Sequence, residues 1–188
     1  DADHYIRIYT TETARHNGKW DESKYRIEIN ANDSAIDINE GYVRIEGLQI
    51  ANFDISGGGA YVIYDGSGVS GERRISACIL KGGRYTVKHE YGSSTWKIWN
   101  NIIYDGGEGG YVNYGWSGTA YLYNNTCHNC GSYGYRRLSG TVIAKNCITQ
   151  DCTDGFAGTF DGASDYNISD ISGDAPGSNS KTCTVSFI

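Results

Sequence analysis

The sequence is almost without proline and entirely without methionine. Its 188 residues include Pro176 as the single proline, against 26 glycines and 16 tyrosines. Proline lacks the N–H group that a β-ladder needs, so its scarcity suits a chain built from continuous ladders, with glycine in the turns between them. The length is that of one domain large enough to enclose a core.

Further absences exclude whole classes of partner. No run of 18 apolar residues is present, so no membrane-spanning helix is predicted. The net charge is −6 and no basic stripe occurs, whereas binding to nucleic-acid phosphates requires clustered Lys and Arg. No signal peptide is recognisable and the sequence begins at Asp1, so we interpret it as a processed chain or a piece excised from a longer one.

What the sequence does contain is an internal repeat. Residues 98–103 (IWNNII) return as 122–127 (LYNNTC) and 143–148 (IAKNCI), with weaker copies at 75–80 and 166–171. The copies begin 23, 24, 21 and 23 residues apart. An aromatic residue follows thirteen positions after the start of three copies, at Tyr111, Tyr135 and Phe156. Markers that share one period are typical of a repeat protein.

The composition of each repeat predicts strands and turns. Short runs of Ile, Val, Tyr and Thr alternate with Gly, Asn, Ser and Asp, which leaves no room for a useful helix. A unit that closes on itself every 23 residues is one coil of a parallel solenoid, whose equivalent positions stack about 4.8 Å apart. We therefore predict an all-β, right-handed parallel β-helix of about eight coils.

This interpretation assigns specific residues to the interior and to the bends. Two inward ladders are predicted, namely Ile75, Ile98, Leu122 and Ile143, then Leu80, Ile103, Cys127 and Ile148. Asparagine tolerates left-handed backbone, and its amide can bond to the neighbouring coil. The predicted bend residues are Asn101, Asn125 and Asn146.

The internal asparagine ladder resembles the right-handed parallel β-helix of the pectin-lyase-like superfamily. The resemblance covers nearly the whole chain, at the level of the fold. Because a fold motif carries no chemistry by itself, function has to be argued from the side chains.

The regular repeats define the predicted domain organisation. Residues 1–24 are assigned to an opening coil or cap, and residues 25–188 to a single β-helix domain. In the coil that begins at Ile45, Leu48 takes the asparagine position. This coil spans 30 residues from Ile45 to Ile75, which is longer than the others, so an insertion is expected at the glycine-rich stretches 57–59 and 66–71. Strands are predicted at residues 5–9, 25–29, 35–38, 42–50 and 182–188.

The predicted outer surface is rich in aromatic residues. One position after the first ladder come Ser76, Trp99, Tyr123 and Ala144; six positions after it come Lys81, Tyr104, His128 and Thr149. Sugar-binding surfaces combine rings, which stack on a pyranose, with carboxylates and amides at the rim. We therefore predict a shallow glycan-binding face formed by Trp99, Tyr104, Tyr123, Asp105 and His128. The alternative is that these rings only stabilise the strands.

The resemblance also implies an enzymatic alternative, a secreted polysaccharide lyase or glycoside hydrolase. Pectate lyases pair Ca²⁺-binding carboxylates with an Arg or Lys base, so Ca²⁺ is expected only under this alternative, and otherwise no cofactor is. Asp65 is predicted near Lys88, His89 and Glu90, and Asp105 and Asp151 flank His128. Neither group repeats a family signature, so no catalytic residue is assigned.

The six cysteines have several interpretations. Their even number favours an oxidising, extracellular setting. Cys130 and Cys152 occupy nearly matching places on adjacent coils, which predicts a disulfide; Cys127 and Cys147 form a second candidate pair. Buried free thiols are the alternative. The Cys127-His-Asn-Cys130 motif also has a zinc-ligand spacing, but the repeat already accounts for these positions, so no metal site is assigned.

Three asparagines match the N-glycosylation pattern, namely Asn32, Asn124 and Asn167. Taken together, the sequence predicts a non-catalytic extracellular β-solenoid at a cell or virion surface, acting as a structural, filament-forming or glycan-binding protein. A β-prone end without a charged or proline-containing cap also predicts end-to-end stacking of identical units, with Ile188 buried, or continuation into further coils.

Overall fold

The computed structural model describes residues 3–186, whose backbone winds into a parallel β-solenoid. Three parallel sheets run along it, and each coil contributes one strand to each sheet. The only helix among the described residues is a 3-10 turn, Glu12–Ala14. The predicted fold class, an all-β parallel solenoid, is confirmed; the handedness of the winding stays a prediction.

The three sheets, A, B and C, are ordered by coil. Sheet A consists of β1 (Ile6–Tyr9), β4 (Tyr42–Glu46), β7 (Glu72–Ser76), β10 (Thr95–Trp99), β13 (Thr119–Tyr123) and β16 (Thr141–Lys145). Sheet B consists of β2 (Arg26–Ile29), β5 (Gln49–Asn52), β8 (Ile79–Gly82), β11 (Ile102–Tyr104), β14 (Thr126–His128), β17 (Ile148–Gln150), β19 (Ile168–Ser169) and β20 (Lys181–Thr182). Sheet C consists of β3 (Ser34–Asp37), β6 (Tyr61–Asp65), β9 (Tyr85–Glu90), β12 (Gly109–Tyr114), β15 (Tyr133–Arg137) and β18 (Asp154–Ala157).

The number of coils is lower than predicted. The described residues form about six turns with a period of about 24 residues, rather than about eight turns. Long connections account for the difference: residues 10–25 join β1 to β2, and the glycine-rich residues 53–60 and 66–71 enlarge the second coil at the two places where an insertion was expected. After β18 only sheet B continues, through β19 and β20.

Strand alternation fills the interior. In β10, Trp96 and Ile98 are buried while Thr95, Lys97 and Trp99 point outward, because successive side chains of a strand face opposite sides. Ile75, Ile98 and Leu122 are register partners and at most 1% exposed, as predicted.

The predicted ladders are wrong by one residue in the sixth coil. Leu122 pairs with Ala144, which is fully buried, whereas Ile143 pairs with Tyr121 on the half-buried outer face. In sheet B the partner of Cys127 is Thr149, and Ile148 pairs with Thr126. The same shift puts Lys145 beside Tyr123 and Gln150 beside His128, not Ala144 and Thr149.

The bend between sheets A and B is made by one left-handed residue per coil. The residue before each inward position has a φ between 51° and 70°, in Gly47, Ala77, Asn100, Asn124, Asn146 and Tyr166. Asn146 therefore occupies left-handed backbone as predicted. Asn101 and Asn125 instead follow the left-handed residue and point inward, buried.

The inward asparagines link neighbouring coils. Asn101 Oδ1 accepts from the Cys78 N–H at 2.9 Å, and Asn101 Nδ2 donates to Ile75 O at 3.1 Å. Asn125 Nδ2 donates to Ile98 O at 2.8 Å, and Asn167 Nδ2 to Ala144 O at 2.9 Å. These bonds satisfy buried polar groups that would otherwise destabilise the bend.

The C-terminal part differs from the predicted open strand. Strand β20 covers Lys181–Thr182, residues 183–186 are not in a strand, and the predicted burial of Ile188 lies outside the described residues. The segment 158–180 instead covers the last coil: the Asp165 N–H donates to Ala144 O at 3.0 Å, and the Asp174 carboxylate accepts from the Phe156 N–H at 3.1 Å. The edges of β16 and β18 are therefore protected.

Candidate functional site

A groove lies on the outer face of sheet A. It has a volume of about 640 Å³ and runs across three neighbouring strands. The lining residues are Glu72 of β7, Thr95, Lys97 and Trp99 of β10, and Tyr121 and Tyr123 of β13. All of them occupy outward positions of their strands, so the alternation that buries Trp96 and Ile98 also presents this surface.

Aromatic rings form one part of the groove. Trp99 and Tyr123 are direct register partners, and Lys97 is paired with Tyr121. The rings of Tyr121 and Tyr123 meet edge to face with centroids 6.0 Å apart. Rings placed in this way support each other, which gives a preformed apolar surface that remains half-exposed to solvent.

Charged groups form the other part. Lys97 Nζ lies 2.5 Å from Glu72 Oε2, and Arg74 Nε binds the other carboxylate oxygen of Glu72. Partial burial raises the pKa of Glu72, but the hydrogen bonds and charges of Lys97 and Arg74 outweigh it and keep the pKa below its ordinary value. Glu72 is thus held as an anion that can accept hydrogen bonds at the edge of the aromatic surface.

The structure separates the five residues predicted to form a glycan-binding face. Trp99 and Tyr123 lie together in the groove on sheet A. Tyr104 and His128 are register partners on sheet B, and therefore on a different side of the solenoid. Burial, together with the nearby Asp105 charge, raises the pKa of Tyr104 to about 12, and His128 Nε2 lies 2.9 Å from Asp151 Oδ2.

Asp105 belongs to a second groove, at the bend between sheets B and C. This bend groove has a volume of about 510 Å³ and is lined by Asn52, Phe53, Ile55, Lys81, Gly82, Asp105, Gly106, Gly107, Asn129 and Gly131. Asn129 Nδ2 donates to Asp105 Oδ1 at 2.7 Å, and Lys81 Nζ lies 3.9 Å from Asp105 Oδ2. Lys81 also lies within 6.0 Å of the ring centres of Trp20, Phe53 and Tyr104.

Of the four residues considered around Asp65, two are internal and two are partly exposed. Asp65 and His89 are register partners, 3% and 1% exposed. Asp65 forms an ion pair with buried Arg73 at 2.9 Å, and the His89 ring stacks on Trp96 with centroids 4.6 Å apart, so these two groups satisfy each other's surroundings inside the coil. Lys88 and Glu90 form an ion pair at 2.7 Å and line a smaller groove of about 230 Å³ on sheet C.

All six cysteines are free thiols in the structure. Cys130 and Cys152, the predicted disulfide pair, do lie close together, and Cys127 joins them in a buried group whose sulphur atoms are within 4.8 Å of one another. Cys127 Sγ and Cys130 Sγ are 3.3 Å apart. Hydrogen bonds from the thiols of Cys127 and Cys130 lower the pKa of Cys152.

The three glycosylation candidates differ in accessibility. Asn32 and Asn124 are exposed, although Asn32 Oδ1 accepts from the Gly59 N–H at 2.6 Å. Asn167 is fully buried, and its Nδ2 donates to Ala144 O and Pro176 O. The prediction for Asn167 therefore conflicts with its position in the folded chain.

Sequence reasoning missed Tyr121, Lys97 and Glu72 as parts of the groove. The strand register could have found them, since outward positions on β10 and β13 alternate with the recognised inward ladder. No protein-family model, curated protein or solved structure gives a significant match to the chain. The likeness to the pectin-lyase-like superfamily is therefore supported only as far as the parallel β-solenoid. Within residues 3–186, no helix is long and apolar enough to cross a membrane.

Proposed function

We propose that this chain is a glycan-binding β-solenoid of an extracellular, cell or virion surface, and that the groove on sheet A is its binding site. The observation that carries the proposal is the alignment of Trp99 and Tyr123 across two adjacent strands, with Tyr121 beside them. Strands in a sheet lie about 4.8 Å apart, which is close to the length of one sugar ring, so successive rings can each meet an aromatic surface.

The polar residues of the groove complement the hydroxyl groups of a sugar. Glu72 supplies carboxylate acceptors, Lys97 supplies an ammonium donor and Thr95 a hydroxyl. Pockets that combine apolar rings with a few oriented polar groups are typical of small-ligand sites. The open, shallow form of the groove suits a chain of sugars that enters and leaves along the surface.

Binding, rather than cleavage, is the better-supported activity for this groove. Glycoside hydrolysis uses a pair of carboxyl groups about 5–10 Å apart, and Glu72 is the one carboxylate among the lining residues. Its ion pairs with Lys97 and Arg74 keep its pKa low, which opposes a role as proton donor.

End-to-end assembly remains a second proposal, with support at one end. Strand β1 pairs with β4 along one edge, and on it Ile6 is 50% and Tyr9 53% exposed. An edge strand with exposed apolar side chains can receive another strand. At the C-terminal end of the solenoid, residues 158–180 cover β16 and β18. This covering opposes the addition of a strand from another chain there. Light scattering of the isolated chain tests this: a monomer at all concentrations would contradict it.

A glycan array tests the binding proposal. We expect the wild-type chain to be retained by at least one polysaccharide, and Trp99→Ala combined with Tyr123→Ala to weaken that binding roughly tenfold or more, since about 1.4 kcal/mol of lost contact changes Kd tenfold. Tyr114→Ala is the matched control, because Tyr114 is an aromatic residue 54% exposed on sheet C.

The outcomes separate the interpretations. Circular dichroism should show the same β-structure in all three proteins, because every substituted side chain points outward. Unchanged retention by the double variant, or an equal loss in Tyr114→Ala, would contradict binding at sheet A. Release of reducing sugars or unsaturated products from the retained polysaccharide would identify an enzyme instead.

A further inference from the structure

The interior of the bend between sheets B and C holds a group of three thiols that glycan binding does not use. Cys127 is the inward residue of β14, Asn129 then adopts left-handed backbone with φ 51°, and this bend turns Cys130 back towards Cys127. One coil later Asp151, with φ 56°, makes the same bend and places Cys152 next to Cys130. The Cys-X-X-Cys spacing and the coil period together bring the three sulphurs into one place.

The distances between the sulphurs fit a shared metal ion. All three Sγ atoms lie within 4.8 Å of one another, and Cys127 Sγ and Cys130 Sγ are 3.3 Å apart. Metal–thiolate bonds of about 2.3 Å place sulphur ligands about 3.8 to 4.0 Å apart in tetrahedral or trigonal arrangements, which falls inside the observed range. A disulfide needs its two sulphur atoms about 2.05 Å apart, and it would leave the third thiol unpaired.

The surroundings of the thiols point in the same direction. Cys127, Cys130 and Cys152 are 0%, 1% and 9% exposed. The Tyr135 hydroxyl is fully buried near these sulphurs and interacts with the thiol of Cys147. An ion held by the three thiols would therefore be enclosed by the core, away from solvent.

The bend groove lies on the outside of the same bend. Asn129 and Gly131, which flank Cys130 in the chain, line this groove together with Asp105. An ion that approaches the three thiols through this groove would meet the Asp105 carboxylate first.

We propose that Cys127, Cys130 and Cys152 form a three-thiolate binding site for a soft d¹⁰ cation, Cu(I) or Zn(II). Soft thiolate ligands select these ions over Mg²⁺, Ca²⁺ and Mn²⁺. Binding exchanges three thiol protons for the ion and changes no oxidation state. Cu(I) needs no ligand beyond three sulphurs, whereas Zn(II) needs a fourth ligand, which a water molecule would supply. The site is independent of the groove on sheet A.

Metal titration of the reduced 188-residue chain under anaerobic conditions tests this site. Cu(I) and Zn(II) are added separately against a chromogenic chelator, and we expect one equivalent of at least one ion to bind. The single variants Cys127→Ser, Cys130→Ser and Cys152→Ser should each lose at least about 100-fold in affinity. Cys78→Ser is the matched control, because Cys78 is also a buried thiol, 1% exposed, in a different coil; it should bind like the wild type.

Two further measurements keep the proposal testable if a variant fails to fold. X-ray absorption of the metal-loaded wild type should show three sulphur neighbours at about 2.3 Å, and a shell of nitrogen or oxygen alone would overturn the proposal. Thiol trapping followed by peptide mass analysis of chain purified without reductant should show no disulfide within the group. A Cys130–Cys152 or Cys127–Cys130 bridge, or no stoichiometric binding by the reduced chain, would also overturn it.

Discussion

At the scale of single residues, His89 shows how the solenoid interior controls protonation. Its Nε2 lies 2.7 Å from the Tyr111 hydroxyl, its ring is held between Trp96 and Trp116, and the Arg73–Asp65 ion pair is close by. Burial, assisted by the Arg73 charge, lowers the pKa of His89 to about 3. The imidazole is therefore neutral in the folded chain at every pH near neutrality.

This burial predicts a loss of stability in acid. In the unfolded chain the pKa of a histidine is about 6.5. Below that pH the unfolded state therefore binds a proton that the folded state does not bind. The free energy of unfolding should fall as the pH decreases from about 6.5 towards 3, by up to about 1.4 kcal/mol per pH unit from this residue. Above pH 6.5 the contribution is constant.

Urea unfolding of His89→Gln between pH 4 and pH 7 tests the assignment. The variant retains a hydrogen-bonding side chain next to Tyr111 but cannot titrate, so its pH dependence should be shallower than that of the wild type. Val87→Ala, a buried position on the same strand, should lower stability at all pH values and leave the pH dependence unchanged. An unchanged slope in His89→Gln would show that another group causes the acid sensitivity.

At the scale of strands, the register decides which side chains carry the stability. Leu122 and Ala144 are stacked in the core, whereas Ile143 lies on the outer face next to Tyr121. Leu122→Ala should therefore cost about 2–5 kcal/mol of unfolding free energy. Ile143→Ala should cost less than about 1 kcal/mol, since partly exposed positions contribute little.

Chemical denaturation of both variants distinguishes this register from the one that the repeat alignment predicts. In that alignment Ile143 occupies the ladder of Leu122, and the two substitutions would be equally harmful. Equal losses would therefore contradict the observed register. Tyr121, on the outer face of β13, provides a check, because Tyr121→Phe should behave like a surface change.

The sequence could predict the solenoid but not every register, and β16 shows why. Its residues Thr141 to Lys145 include three consecutive apolar side chains, so either alternation places an apolar residue inside. The core there takes Val142 and the small Ala144, and it shares the interior with the rings of Tyr135 and Phe156, whose centroids are 5.3 Å apart. Such packing depends on contacts between coils and cannot be read from one repeat.

The bend between sheets A and B indicates the strand register better than the apolar residues do. Asn100, Asn124 and Asn146 all have left-handed backbone and lie 24 and 22 residues apart. Aligning the asparagine that needs this conformation, rather than the apolar residue before it, gives the observed register. The inward position is then occupied by Asn101, Asn125 and Cys147. In the sixth coil a cysteine therefore replaces the second asparagine of the pair.

The candidate site was also only partly predictable. Trp99 and Tyr123 were identified because they follow the inward ladder by one position. Tyr104, Asp105 and His128 belong to other faces, since the left-handed bends at Asn100 and Asp105 redirect the chain between sheets. Sequence distance along a coil therefore does not measure distance on the surface of a solenoid.

At the scale of the whole molecule, the three sheets present separate surfaces around one core. The groove on sheet A combines aromatic rings with Glu72 and Lys97, and the bend groove combines Lys81, Asp105 and a glycine-rich floor above the three thiols. A rigid scaffold with distinct faces allows one chain to hold a glycan and an ion at separate places. The proposed function therefore depends on which of these faces binds the glycan.

Nuclear magnetic resonance shows directly which face binds the glycan. The oligosaccharide that the array retains most tightly is added stepwise to isotope-labelled wild-type chain, and amide and indole N–H signals are followed. The proposed site predicts shifts of the Trp99 indole and of the amides of residues 95–99 and 119–123. Shifts confined to residues 52–55, 105–107 and 129–131, or no retained glycan at all, would contradict it.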